Sequence, residues 1–186
     1  IVAGDYKIAF LDLTNKTKLY ELATSEADLD FVSEVSVSDQ GYAVVSTNNG
    51  IKVFSATDGV IANFSEVVFN GIPYEVGGNV DRIAPSGNCY YTRGNMKFIV
   101  PNTLVWLNLY DNPNFDASNS LDVSSDGAYM ASASGVYGRV VLFDGNGNML
   151  WKSSIENDAI RTIDISYDGS TIAIGDLSEI AVYANN

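Results

Sequence analysis

The chain repeats one pattern four times, and this repetition constrains the fold more than any other feature of the sequence. Each copy is a short run of alternating apolar and polar residues, then a turn rich in Ser, Asp and Gly, then a second apolar run. The copies are Ser33–Thr47, Val80–Gly94, Ser120–Ser134 and Arg161–Gly175. Their turn glycines, which are Gly41, Gly87, Gly127 and Gly169, lie 46, 40 and 42 residues apart. Such a spacing predicts one supersecondary unit per repeat.

A third apolar run follows every copy, and a fourth follows the first three copies. The third runs are Ile51–Ala56, Met96–Pro101, Arg139–Asp144 and Glu179–Ala184, and the fourth are Gly59–Ser65, Thr103–Leu109 and Asn148–Ser154. Short runs rich in Val, Ile, Tyr and Phe and bounded by turn residues predict strands joined by hairpins. Four antiparallel strands per repeat of about 40–45 residues are typical of a propeller blade, because stacked twisted sheets bury both faces. We therefore predict an all-β fold made of β-propeller blades of four antiparallel strands.

The strand phase at the two ends predicts a partial blade at each. The N-terminal "IVAGDYKIAFLDL" and the C-terminal "TIAIGDLSEIAVYA" are versions of one motif, so both ends contain a third strand. We predict one domain over 1–186, with complete blades at about 31–75, 76–115 and 116–160 and partial blades at about 1–30 and 161–186. Three explanations stay open: an excerpt of a longer propeller, a propeller of four or five blades with irregular closure, or a polymer whose open ends pair with neighbouring molecules.

The third and fourth strands carry a resemblance to two propeller families. Phe143-Asp144 and Leu11-Asp12 resemble the Trp-Asp that often ends the third strand of WD40-type repeats, although the Gly-His of that family has no counterpart. "VFSATDGVIAN" and "LFDGNGNMLW", the latter with Asp144, Gly147 and Trp151, resemble the quinoprotein-type repeat Ala-x-Asp-x-x-Thr-Gly-x-x-x-Trp. The resemblance covers nearly the whole chain and implies propeller architecture; neither motif carries catalytic residues.

Composition narrows the range of functions. The net charge is −13, from 10 Lys and Arg against 23 Asp and Glu, so we expect no nucleic-acid partner. No apolar run reaches the ~18 residues that a membrane span requires, so no membrane insertion is expected. The chain contains no His, which removes the commonest general base and metal ligand. The single Cys89 has no partner for a disulfide or a zinc site, and its setting predicts a buried structural thiol. We predict a protein that is not an enzyme, with no catalytic residue and no cofactor.

The turn Asp144-Gly145-Asn146-Gly147-Asn148 resembles the start of a calcium loop. The pattern then fails, because Met149 replaces the required Gly and Ile155 occupies the position of the bidentate Glu. A hairpin turn is the better interpretation, and no metal site is predicted. Asp39, Asp126 and Asp168 recur in the turns between first and second strands, where Asp suits the turn itself. Trp106 and Trp151, both in fourth strands, are expected to pack between blades.

Two longer connections interrupt the repeat, at Glu66–Val80 and Tyr110–Asn119. Irregular connections of this kind commonly hold binding residues, so Tyr74, Tyr110 and Phe115 are predicted as partner contacts; alternatively these segments only cover blade edges. Asn15 and Asn63 begin glycosylation sequons, which favours an extracellular or cell-surface protein.

The sequence thus predicts a non-catalytic binding or scaffold module with a protein partner or self-association. One alternative is a structural subunit that assembles into a filament or surface array through incomplete terminal blades. The other is a fragment of a quinoprotein-type dehydrogenase.

Overall fold

The computed structural model describes residues 2–4, 7–12, 14–23, 32–47, 50–76, 81–86, 89–92, 96–100, 103–107, 120–134, 138–154, 160–177 and 179–185. Every regular element within these ranges is a β-strand. The strands form five successive sheets and one separate hairpin, and hydrogen-bonded neighbours in each sheet follow chain order.

The strand bounds define these units. Sheet 1 contains β1 (Val2–Gly4), β2 (Lys7–Asp12) and β3 (Thr17–Ala23). Sheet 2 contains β4 (Val32–Val37), β5 (Tyr42–Thr47), β6 (Gly50–Ser55) and β7 (Gly59–Phe64). The hairpin contains β8 (Glu66–Phe69) and β9 (Ile72–Glu75). Sheet 3 contains β10 (Asp81–Ile83), β11 (Cys89–Thr92), β12 (Met96–Ile99) and β13 (Thr103–Leu107). Sheet 4 contains β14 (Ser120–Val123), β15 (Tyr129–Ser134), β16 (Arg139–Asp144) and β17 (Met149–Ser154). Sheet 5 contains β18 (Thr162–Ile165), β19 (Thr171–Gly175) and β20 (Ile180–Ala184).

All strand pairs are antiparallel, and the sheets are arranged as the blades of a β-propeller. The prediction of an all-β propeller fold is therefore confirmed. The predicted blade boundaries and the incompleteness of the end blades stay predictions. Local geometry repeats as the sequence does: Gly41, Gly127 and Gly169 adopt φ angles of 80°, 69° and 73° in equivalent turns.

A β-bulge recurs in the next-to-last strand of sheets 1 to 4. It lies between Phe10 and Leu11, Val53 and Phe54, Lys97 and Phe98, and Leu142 and Phe143. A bulge bends the strand and increases its twist, which suits the curved edge of a blade. The register also makes residues of different sheets equivalent: Leu11, Phe54, Phe98 and Phe143 occupy the same position.

The sheets stack because alternate side chains of one strand point to opposite faces. We call the face of a sheet that packs on the following sheet its forward face, and the opposite one its rear face. In β16, Val141 and Phe143 lie on the rear face and pack in one cluster with Trp106 of sheet 3. Val140 and Leu142 lie on the forward face and pack in a second cluster with the isoleucines of sheet 5. A strand buried on both faces explains why this segment reads as a continuous apolar run.

A third cluster joins sheet 2 to sheet 3. Val53 on the forward face of sheet 2 packs with Tyr90 and Phe98 of the rear face of sheet 3. The Tyr90 and Phe98 rings stack with centroids 5.1 Å apart, and the Phe64 ring of sheet 2 lies 5.5 Å from Phe98. Each fully buried aromatic or aliphatic side chain contributes about 1.5–3 kcal/mol, so these interfaces between sheets dominate stability.

Candidate interaction surface

In chain order, the hairpin β8–β9 lies between β7 of sheet 2 and β10 of sheet 3. Its two-residue turn contains Asn70 at φ 52° and Gly71 at φ 79°, the left-handed pair of a type I′ turn. The Val76 amide closes the base by donating to the Ser65 carbonyl at 2.9 Å. This connection is thus an ordered element with a defined register.

The two sides of the hairpin differ in exposure. Val67 and Tyr74 form a cross-strand pair, are half-buried and pack against the cluster between sheets 2 and 3. Val68, paired with the exposed Pro73, is 64% exposed, and Ile72 near the tip is 54% exposed. One side therefore fixes the hairpin to the core while apolar side chains remain available to a partner.

Of the three residues predicted as partner contacts, the structure describes only Tyr74. Tyr74 is half-buried on the inner side of the hairpin. Tyr110 and Phe115 lie outside the described residues. Their roles as partner contacts stay predictions. An ordered hairpin thus lies within the connection Glu66–Val80, which was predicted to be irregular although Asn70-Gly71 is the strongest short hairpin signal.

The turns between first and second strands form a continuous hydrogen-bonded rim across successive sheets. The Ser86 amide donates to the Ser125 carbonyl at 3.0 Å, and the Ser125 amide donates to the Tyr167 carbonyl at 3.0 Å. The Asp39 amide similarly donates to the Pro85 carbonyl. Backbone groups that each turn leaves unpaired are thus satisfied by the next blade, which fixes the spacing of the blades.

Two of the recurrent aspartates, Asp126 and Asp168, bind donors of their own turns, as expected. Asp126 Oδ1 accepts from the Ala128 amide at 2.9 Å and from Ser124 Oγ at 2.9 Å. Asp168 Oδ1 accepts from the Ser170 amide at 3.0 Å and from Ser166 Oγ at 2.7 Å. Hydrogen bonds to the charged form, first among them those from the backbone amides, lower the pKa of Asp126 and lower the pKa of Asp168 to about 2.

The first strands of successive sheets carry a chain of polar contacts. Arg82 of β10 forms an ion pair with Glu34 of β4, and its Nε lies 3.8 Å from Asp122 Oδ1 of β14. Asp122 Oδ2 accepts from the Ile165 amide of β18 at 2.9 Å. Burial, followed by a hydrogen bond with the Asp164 carboxyl, raises the pKa of Asp122 to about 6.

This raised pKa predicts a stability that falls as pH rises from about 4 to about 6. The folded state holds the Asp122 proton more tightly than the unfolded chain, so the stabilisation is complete below pH 4 and is lost through pH 6. Asp122→Asn keeps an acceptor for the Ile165 amide but cannot ionise. We expect it to flatten this decline and to add about 1–2 kcal/mol at pH 7, measured by urea unfolding at a series of pH values.

Asp126→Asn is the control, because the pKa of Asp126 is shifted in the opposite direction to that of Asp122. The pKa of Asp126 is lowered, so that carboxylate stabilises the fold at neutral pH and loses its effect only as pH falls below about 4. The substitution should destabilise at pH 7 and leave the decline between pH 4 and pH 6 intact. An Asp122→Asn protein with an unchanged slope between pH 4 and pH 6 would show that another group titrates there.

The Asp144 carboxylate accepts hydrogen bonds from donors within its own turn. Asp144 Oδ1 accepts from the amides of Asn146 and Asn148 at 2.8 and 2.9 Å, and Oδ2 accepts from Asn148 Nδ2 at 2.8 Å. The side-chain bond from Asn148, ahead of the backbone bonds, lowers the pKa of Asp144. The carboxylate therefore shapes the corner, in agreement with the hairpin interpretation.

The same turn also receives two side chains from sheet 3. Lys97 Nζ donates to the Gly145 carbonyl at 2.9 Å, and Trp106 Nε1 donates to it at 3.2 Å. The Trp106 ring lies 5.7 Å from the Phe143 ring, and Trp151 similarly lies 5.5 Å from Tyr183 of sheet 5. Both tryptophans thus pack between sheets. Cys89 is buried in the Trp106 cluster, where burial raises the pKa of its thiol despite the opposing charge of Lys97.

Among the described residues, no group of three or more His, Cys, Asp or Glu is arranged to hold a metal ion. Within those same ranges, no helix has the length and apolar character to cross a bilayer.

Solved structures resemble this arrangement, whereas no known protein family and no curated protein sequence matches the chain. The β-propeller domain of Cps50 (Swd1) from Myceliophteria thermophila is 14% identical, with a TM-score of 0.67 over 97% of this chain and 59% of that one. Hsv2 of Kluyveromyces marxianus is 16% identical, with a TM-score of 0.72 over 97% of this chain and 54% of that one. Hsv2 of Kluyveromyces lactis is 16% identical, with a TM-score of 0.71 over 97% and 55%.

The class that these comparisons define is the β-propeller. The structural neighbours are propellers of the WD40 type. At 14–16% identity the likeness shows the fold, and the chain spans 54–59% of the length of these structures. The quinoprotein-type resemblance stays a prediction.

Proposed function

We propose that the chain is a non-catalytic scaffold that binds a protein partner through the exposed apolar residues of the hairpin β8–β9. The observation that carries this proposal is an ordered insertion in an otherwise regular repeat, with Val68 and Ile72 exposed. The WD40-type neighbours support a protein-interaction scaffold in general terms.

The hairpin is better suited to partner binding than the body of the sheets. The inner side of the hairpin is anchored by Val67 and Tyr74, so its outer side is held in place before a partner arrives. Exposed aliphatic side chains on a rigid element serve as anchors for a partner pocket. Because the net charge is −13, a partner with basic residues around that pocket is favoured during encounter.

A displayed library of random peptides tests this proposal without a known partner. We expect selected peptides to bind the unmodified protein and to lose at least tenfold in affinity for the double variant Val68→Asp, Ile72→Asp. Val105→Asp is the matched control, since Val105 is 44% exposed on β13 of the repeat body. Selected peptides that bind the hairpin variant as well as the unmodified protein would contradict the assignment of the site.

We also propose that the protein works outside the cell or at its surface. Asn15, in the turn between β2 and β3, and Asn63, in β7, are both exposed, as glycan acceptors must be. Expression through a secretory pathway should give a glycosidase-sensitive mass shift, reduced in turn by Thr17→Ala and by Ser65→Ala. A secreted protein without any such shift would remove this support.

A further inference from the structure

Three Asn-Gly dipeptides occur in the chain, at Asn49-Gly50, Asn70-Gly71 and Asn146-Gly147. In such a pair the backbone nitrogen of the glycine can approach the side-chain carbonyl carbon of the asparagine, because glycine has no Cβ to hinder it. The surrounding fold decides how readily that approach takes place. Asn49 lies outside the described residues, whereas Asn70 and Asn146 are both described and both exposed.

The turn around Asn146 holds its reacting groups in place. The Gly147 amide donates to the Asp144 carbonyl at 3.0 Å, and the Asn146 amide donates to Asp144 Oδ1 at 2.8 Å. The Trp106 ring covers Gly147, since an added Cβ there would lie 2.7 Å from Trp106 Cδ2. The nitrogen that would attack is therefore occupied by a hydrogen bond, and the turn cannot open without breaking contacts between sheets 3 and 4.

The tip of the hairpin β8–β9 is more open. Phe69 pairs with Ile72 across the turn, and the closing hydrogen bond of a two-residue turn joins those two residues, so the Gly71 amide lies outside it. An added Cβ at Gly71 would meet nothing within 4 Å, and Asn70 and Gly71 are both exposed. The hairpin is a two-stranded sheet, and such a sheet is only marginally stable by itself. Local opening of the tip therefore requires little free energy.

We propose that Asn70 is a site of spontaneous deamidation. The Gly71 nitrogen loses its proton and attacks Asn70 Cγ. A bond forms between that nitrogen and Cγ, the bond between Cγ and Nδ2 breaks, and Nδ2 leaves with the proton as ammonia. The cyclic imide then takes up one water molecule from the solvent. Addition of water at Cγ gives aspartate and addition at the main-chain carbonyl gives isoaspartate, and neither route consumes an oxidant or a reductant.

Both products change the hairpin tip. Each adds one negative charge to a chain whose net charge is already −13. Isoaspartate also routes the main chain through the former side chain, which lengthens the turn by one methylene and disrupts the pairing of Phe69 with Ile72. Val67 and Tyr74 anchor the hairpin away from its tip, so the propeller itself stays folded. The reaction needs no partner, so it goes beyond the proposed partner binding and does not depend on it.

Peptide mass spectrometry of the folded chain, aged at mildly alkaline pH in heavy-oxygen water, measures the reaction at each asparagine. Every hydrolysed imide is marked, because one solvent oxygen enters the product. We expect Asn70 to convert at least about tenfold faster than Asn146, since opening the hairpin tip costs less free energy than opening the Asp144 turn. In concentrated urea the two rates should become similar, because unfolding removes that difference. Equal rates in the folded chain, or a rate difference that persists in urea, would overturn the proposal.

Gly71→Ala tests whether the Gly71 nitrogen is the attacking group. A methyl group beside that nitrogen hinders the approach to Asn70 Cγ, so we expect the variant to lose most of the isoaspartate. Direct hydrolysis of the Asn70 amide by water would instead give aspartate alone, at the same rate in the variant and the unmodified chain, and that result would contradict the proposal. An added Cβ at Gly71 meets nothing within 4 Å, so the variant should fold, and thermal unfolding checks this.

Discussion

Gly50→Ala is expected to destabilise the protein by about 3–5 kcal/mol, which is a large part of the stability of a typical domain. Gly50 begins β6 with φ at 131°, a conformation that side chains rarely adopt. An added Cβ would collide with the Phe64 carbonyl oxygen and lie 2.8 Å from Ser65 Cα. Both are backbone atoms of the neighbouring strand end, so no rotamer change relieves the contact. The urea midpoint measures the effect.

Gly71→Ala is the matched control for this substitution. Gly71 also has a positive φ, of 79°, but an added Cβ would meet nothing within 4 Å. It should cost only the strain of the left-handed conformation, about 1 kcal/mol. Equal losses in the two variants would mean that the close approach of β6 and β7 at Gly50 does not exist.

Leu142→Ala should cost about 3 kcal/mol and is the second large effect. Leu142 is 0% exposed and packs with Ile163, Ile165 and other isoleucines of sheet 5, so truncation leaves a cavity between two sheets. The expected result is a lower urea midpoint with an unchanged slope, because the fold itself is retained.

Leu150→Ala provides the same chemical change at an exposed position of the same sheet. Leu150 of β17 is 46% exposed, and its truncation should cost less than about 1 kcal/mol. If the two leucine variants lost the same stability, the interface between sheets 4 and 5 would not be the core that the structure shows.

The sequence predicted local structure well because its determinants are local. The turns at Gly41, Gly127 and Gly169 follow from Gly and Asp at fixed offsets, and the strands follow from β-branched and aromatic runs. At Asp144 the calcium-loop pattern fails, which predicted a hairpin turn, and the structure has that turn. The hairpin β8–β9 was missed because it breaks the period, although Asn70-Gly71 was visible.

Contacts between sheets could not be predicted from the sequence, because they depend on the relative register of strands about 40 residues apart. The approach of Arg82 to both Glu34 and Asp122 is one example. Another is the Lys97 ammonium bonded to the Gly145 carbonyl. The exposure of Ile180 and Val182 is equally invisible in the sequence, where "EIAVYA" resembles the buried third strands of other sheets.

Successive sheets stack face to face as propeller blades, and proton NMR of Gly147 probes this stacking at one interface. A Cβ at Gly147 would lie 2.7 Å from Trp106 Cδ2, so the α-protons of this glycine contact the indole ring of the preceding sheet. We predict nuclear Overhauser effects between these α-protons and the Trp106 ring, with the α-proton resonances shifted upfield. Gly147 resonances at random-coil positions, with no Overhauser effect to Trp106, would contradict the stacked arrangement.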